Sequence, residues 1–176
     1  MEQATETDVK NENSEPILAQ EFDEKSFPTL FEWLGGRDVL RNLMKTFYAK
    51  VVVDDLLEPL FTKMKDDHPD HVAMWFEEVL GGAKIYTEVR GGFKSMIARH
   101  RGRRIRADQR ERWVKLMIDA ADEIGMPSDP EFRSAFVGYL EWGSRRAFRN
   151  SQPDAPPSKR TTMPKWGWGE APPGTL

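Results

Sequence analysis

His100 stands inside a run of arginines (Arg99, Arg101, Arg103, Arg104 and Arg106), and Trp113 follows it thirteen residues on. A neutral imidazole can hold haem iron from one side and leave the opposite face open to a small gas, with an indole as an aromatic wall nearby. The competing reading is a solvated histidine in a basic loop. Spacing alone does not separate the two, because only clusters of ligands carry a strong metal signature. Other chemistries are poorly served. The chain has no cysteine, which excludes disulfides, thiolate nucleophiles and cysteine metal sites. It shows neither a convergent carboxylate pair nor a histidine-rich set, so nothing favours a hydrolase.

Four apolar stripes at helical spacing must position these residues. Val39, Leu40, Leu43, Met44, Phe47 and Val51 make the first, after a short apolar segment (Leu30, Phe31, Trp33, Leu34) that stops at Gly35-Gly36. Leu56, Leu57, Leu60 and Phe61 form a cluster too short for a long helix. The second stripe is Val72, Trp75, Phe76, Val79 and Leu80, opened by Asp67 or His68 with Pro69 in the first turn and closed by Gly81-Gly82. Residues 83–106 read as irregular, broken by Gly91-Gly92 and Gly102, with a ligand-carrying corner around Met96–His100. Trp113, Leu116, Met117, Ala120, Ala121 and Ile124 make the third stripe, ended by Gly125 and Pro127. Phe132, Ala135, Phe136, Tyr139, Leu140, Gly143 and Ala147 make the fourth, introduced by Ser128-Asp129-Pro130. No strand-type alternation competes, so the fold class is all-α.

The 176 residues suffice for one domain with a substantial core. The net charge is −3, which argues against a nucleic-acid binder. That charge is unevenly spread: residues 1–25 hold eight acidic side chains against Lys10 and Lys25, and the remainder is mildly basic. The acidic stretch reads as a disordered tail. Residues 26–150 read as the folded domain and 151–176 as a Pro/Gly-rich extension whose Trp166-Gly167-Trp168-Gly169 motif is expected to dock on it. No stretch is apolar enough for a bilayer span and the N-terminus lacks signal-peptide order, so a cytoplasmic protein without membrane contact is expected.

Four stripes with short connections fit a plain helical bundle or a compact globin equally well. The ordered motifs decide between them. Phe47-Tyr48 on the first long helix, Phe61 thirteen residues later, Gly81-Gly82 with Tyr86, then His100 and Trp113, together resemble the group II truncated haemoglobins over about Pro28–Asn150. Two departures stand out: Ala83 replaces the usual proline, and Arg101-Gly102-Arg103 replaces an Ala-Pro-Phe-like stretch, removing a haem-facing aromatic.

The resemblance implies a 2-on-2 helical sandwich holding haem b (iron protoporphyrin IX), with His100 as the metal ligand. It puts Tyr48, Phe61, His68, Val72, Arg99, Ile105, Trp113 and Met117 at the cofactor. Tyr48 and the Trp113 indole N–H would be donors to bound dioxygen or another diatomic, Val72 a dry wall, and Arg99 a propionate partner. His68, four residues before Val72, is either a distal gate or a helix-start side chain in water; His71, off that face, reads as exposed. Nitric-oxide or peroxide detoxification with an electron-donating reductase, by a monomer or homodimer, follows as the implied use. The other arginines face water or an acidic partner. The reading from a different class is a haem-free helical interaction module built on the arginine patch and the tryptophan tail.

Overall fold

Apolar stripes, caps and glycines divide the chain into eight helices among the residues that the computed structural model describes, which are 27–170, 172 and 173. The acidic segment 1–25 lies outside the described residues. The helices are α1 (Leu30–Trp33), α2 (Arg37–Val51), α3 (Glu58–Phe61), α4 (His68–Val79), α5 (Ile85–Arg90), α6 (Gly92–His100), α7 (Ala107–Glu123) and α8 (Pro130–Asn150). None is long and apolar enough to cross a membrane.

The first stripe gives α2 its buried face, where Leu40, Leu43, Met44, Phe47 and Val51 are fully shielded. α2 packs on α4 and also on α7, and α7 packs on α8, so two helix pairs form the sandwich. Burying each such aliphatic or aromatic side chain stabilises the fold by about 1.5–3 kcal/mol before entropy is subtracted. Ends are fixed by short-range chemistry. Thr29 and Glu32 cap α1 reciprocally. Asp129 caps α8 by accepting from the Phe132 N–H at 2.9 Å, and its other oxygen accepts from the Trp33 indole at 3.1 Å.

Gly81-Gly82 is required by close approach. A Cβ on Gly81 would lie 2.8 Å from Thr29, and one on Gly82 would lie 2.6 Å from Glu77 and 2.9 Å from Phe31. This contact lets the Phe31 N–H reach the Leu80 carbonyl at 3.0 Å and lays α1 over the end of α4.

Residues 83–106 are more regular than the sequence suggests. Gly91 adopts the left-handed conformation (φ 79°) and turns α5 directly into α6, so the glycine pair divides one helical path in two without abolishing it. The loop after α6 is pinned to the end of α8. Arg104, at φ 52°, donates its N–H to the Ser151 carbonyl, the Ile105 N–H bonds the Ser151 hydroxyl, and the Gln152 amide donates to the Ile105 carbonyl.

The C-terminal segment packs on the helices. Trp166 pairs with the end of α4 through its N–H to the Val79 carbonyl (2.9 Å), and its indole donates to Ala135 of α8 (2.8 Å). Trp168 donates to the Pro28 carbonyl (2.8 Å) and meets Trp33 edge-on at 5.5 Å. Deleting residues 160–176 is expected to cost about 1–3 kcal/mol, from two indoles returned to water and the lost hydrogen bonds to the Val79, Ala135 and Pro28 carbonyls. Equal urea midpoints for the full-length and shortened chains would refute this.

Candidate functional site

A cavity of about 460 Å³ opens between the helix pairs, with walls drawn from α2 through α8. Its size falls within the roughly 300–1,000 Å³ of small-ligand and cofactor sites. Tyr48, Phe61, His68, Val72, Arg99, His100, Ile105 and Trp113 all line it. Met117 does not. One helical turn beyond Trp113, the third stripe leaves the cavity and enters the core, where Met117 is fully buried.

His100 ends α6, and its Nδ1 lies 2.9 Å from the carbonyl of Met96 one turn earlier. Donation from Nδ1–H to that carbonyl fixes the ring orientation and leaves the Nε2 lone pair free. Burial pushes the imidazole pKa down against the opposing effect of the Met96 bond, and the charge of Arg103 lowers it further. The ring is therefore neutral near pH 7, the form that binds a metal.

Tyr48, near the end of α2, places its hydroxyl 2.9 Å from Nε2 of His68, the first residue of α4. The pair is boxed in by edge-on rings: Phe61 and Phe47 flank Tyr48 at 5.7 and 4.8 Å, and Trp113 meets Phe47 at 5.3 Å. Burial raises the Tyr48 pKa and keeps the phenol protonated. Burial, then the nearby charges of His71, His100 and Arg103, hold His68 down at about 4. A phenol is the better donor to a neutral imidazole, so the hydroxyl donates to Nε2. His68 thus lines the cavity rather than pointing away. His71, read from sequence as exposed, is half-buried, lines the same cavity and sits 3.6 Å from Asp67; the start of α4 turns both histidines inward.

The His68 shift has a pH consequence. A base whose folded pKa lies below its unfolded value resists protonation only when folded, so stability is full above about pH 6.5 and falls as the pH drops toward 4. His68→Gln should flatten that slope in urea midpoints of the haem-free protein measured from pH 7 to 4.5. An unchanged slope would place the titration elsewhere.

The cationic rim differs from the sequence reading. Arg99 borders the cavity as expected, and Arg103, exposed to water as expected, also reaches its rim. The tie of Arg104 and Ile105 to Ser151 folds the loop back and brings Arg103 to the rim. Arg90 and Arg146 were missed altogether. Both line the cavity, and the Nε of each is buried without a hydrogen-bond partner among the described residues. Arg146 lies over the rings of Trp142 and Phe93 at 5.1 and 5.7 Å. The available signal was its i+4 spacing from Trp142 on α8.

These orphaned donors test the site against haem. A buried guanidinium N–H without an acceptor is costly, and a propionate carboxylate is the acceptor that arginine fits. An apolar slot walled by Phe61, Val72 and Ile105, one neutral histidine with a free Nε2 and the buried Nε donors of Arg90 and Arg146, without partners among the described residues, suit a flat apolar ring bearing two carboxylates.

A sequence model of the bacterial-like globin family matches residues 29–141. Group 2 truncated hemoglobin YjbI of Bacillus subtilis is 29% identical over 128 residues, covering 73% of this chain and 94% of that protein. Among solved structures, the group II truncated haemoglobin of Bacillus anthracis superposes with a TM-score of 0.62 at 27% identity, over 68% of this chain and 90% of its own. The truncated oxygen-avid haemoglobin of Bacillus subtilis gives 0.61 at 29%, over 68% and 98%. The chain belongs to the bacterial-like globin family, on the group II truncated haemoglobin branch, and with that membership comes globin-type binding of haem and of small ligands at it.

Proposed function

We propose that this globin holds haem b through Nε2 of His100 and binds dioxygen and related diatomic ligands with slow release. The observation that carries the reading is the His100 ring, neutral, oriented by Met96 and facing a cavity that also holds the Tyr48–His68 pair. When bound, haem supplies an iron that reversibly takes a diatomic ligand and exchanges electrons.

The chain's own residues do the rest. Arg99, Arg103, Arg90 and Arg146 supply guanidinium donors for the two propionates. Phe61, Val72 and Ile105 keep the slot dry, which strengthens every polar contact inside it. Tyr48 Oη and Trp113 Nε1 are the donors available to a ligand carrying partial negative charge; a charge-assisted bond is worth about 1.5–3 kcal/mol, less for Tyr48, which must give up its bond to His68. Two such donors slow ligand escape, as befits a relative described as oxygen-avid. Slow release suits chemistry better than delivery, so nitric-oxide or peroxide detoxification, fed by a reductase, is the reaction class we favour.

Reconstitution tests the reading. A Soret band saturating at one haem per chain, with dioxygen release from the reduced protein slower than from a Tyr48→Phe variant, is expected. A chain that takes up no haem would instead support a helical interaction module.

A further inference from the structure

The cavity has an aromatic exit that the proposed binding function does not use. Trp142 of α8 lines the cavity, and its ring centroid lies 5.6 Å from that of Trp166, which does not line the cavity and is only half-buried. Tyr139 packs against both, at 6.4 and 5.7 Å. The C-terminal segment thus brings an oxidisable ring to within van der Waals range of one that faces the cofactor space.

We propose that Trp142 and Trp166 form a relay that carries oxidising equivalents out of the haem cavity, with Trp166 as the residue that is finally modified. The inference rests on the reading that the cavity holds haem, and on hydrogen peroxide as the oxidant.

Local charge sets the direction. The Arg160 guanidinium sits 6.0 Å from the Trp142 ring centroid, beside that of Arg146 at 5.1 Å, so one cation remains on this ring when Arg146 is engaged by a propionate. A cation over a neutral indole is attracted to its electron-rich face, but the same cation repels an indole that has lost an electron. Trp166 is in the opposite situation: its Nε1–H donates to the Ala135 carbonyl at 2.8 Å, and the negative end of that dipole favours positive charge on the ring. An electron vacancy on Trp142 is therefore driven outward. Tyr139 is the poorer carrier, because a phenol must shed its proton on oxidation. Its hydroxyl is buried and already accepts from the Trp75 indole, and burial pushes its pKa up.

The electrons and atoms balance. Peroxide takes up two electrons and two protons at the cofactor site and leaves as two waters. Trp142 supplies the electrons one at a time and is refilled each time from Trp166. The twice-oxidised Trp166 ring is captured by one water at a ring carbon and releases two protons, so the net change is indole plus peroxide to hydroxyindole plus water.

Trp33 and Trp168 are built-in controls. Trp33 is exposed and Trp168 half-buried, and the two pair with each other, not with Trp142. The full-length haem-loaded protein is treated with small molar excesses of peroxide and its tryptophans are mapped by peptide mass spectrometry. One added oxygen should concentrate at Trp166, several-fold above Trp33 and Trp168, and that preference should vanish in the haem-free protein. In Trp166→Phe the added oxygen should move to Trp142, and the Soret band should bleach at fewer equivalents. If that variant fails to fold, the wild-type map decides alone. Haem-loaded protein modified equally at Trp33, Trp168 and Trp166, or a Trp166 preference that persists without haem, overturns the relay. A preparation that takes up no haem overturns the reading beneath it, a result recognised by its absent Soret band.

Discussion

His100→Ala is expected to purify with little or no haem and, when reconstituted, to lose it at least tenfold faster than the wild type. The tenfold corresponds to about 1.4 kcal/mol, a minimum for removing the axial nitrogen. Three geometric facts support this. The imidazole closes α6 at the cavity, Met96 engages its Nδ1 at 2.9 Å, and burial keeps the ring neutral. His68 and His71 also line the cavity, yet His68 is committed to Tyr48 and His71 lies 3.6 Å from Asp67. The haem-free form gives the necessary control. Losing a half-buried ring that pays for its own desolvation should leave the apoprotein midpoint nearly unchanged, so a haem defect without an apoprotein defect assigns the residue to the cofactor. Full occupancy with an unchanged spectrum in His100→Ala would remove His100 from the iron.

The long stripes were legible because each buries one face at a regular period, as in α2, where Leu40, Leu43, Met44, Phe47 and Val51 have no exposure and only Val39, at the start of the stripe, is partly buried. His100 and Trp113 were legible only as members of an ordered set of motifs. Neither spacing nor charge alone distinguished His100 from a solvated histidine. What escaped was set by tertiary contact. Arg90 and Arg146 lie outside the arginine cluster around His100, yet folding buries the Nε of each beside the cavity. Met117 shares a stripe with Trp113, but a helix face that reaches a cavity at one turn can be solid core at the next. The inward turn of His71 and the approach of Arg103 depend on the start of α4 and on the clamp of Arg104 and Ile105 by Ser151, neither of which has a local sequence signal. Glu77, buried and held by Arg37 through two bonds of 2.6 and 2.7 Å, lies forty residues from its partner and was equally invisible.

The distal donors should be unequal, and their inequality is the sharper test of the cavity. Trp113 Nε1–H has no acceptor among the hydrogen bonds of the described residues, whereas the Tyr48 hydroxyl already donates to His68 at 2.9 Å. A diatomic ligand gains the whole Trp113 bond. It gains from Tyr48 only the difference between its own bond and the one to His68 that must be given up. Trp113→Phe is therefore expected to speed dioxygen release by roughly 10- to 100-fold, from about 1.5–3 kcal/mol, and Tyr48→Phe by less. The double variant should fall short of the product of the two, since both donors serve one small ligand. Replacing His68 with Leu should act in the opposite direction: Tyr48, freed of its competitor, binds the ligand more fully and release slows. This change of sign separates a competing acceptor from a simple gate, because a gate widened by Leu would accelerate entry and exit together. Stopped-flow release from the reduced proteins, with thermal midpoints to show that the Phe47–Trp113 contact survives in Trp113→Phe, decides the matter. Unchanged rates in both single variants would take Tyr48 and Trp113 away from the ligand, and faster release in His68→Leu would refute the competition.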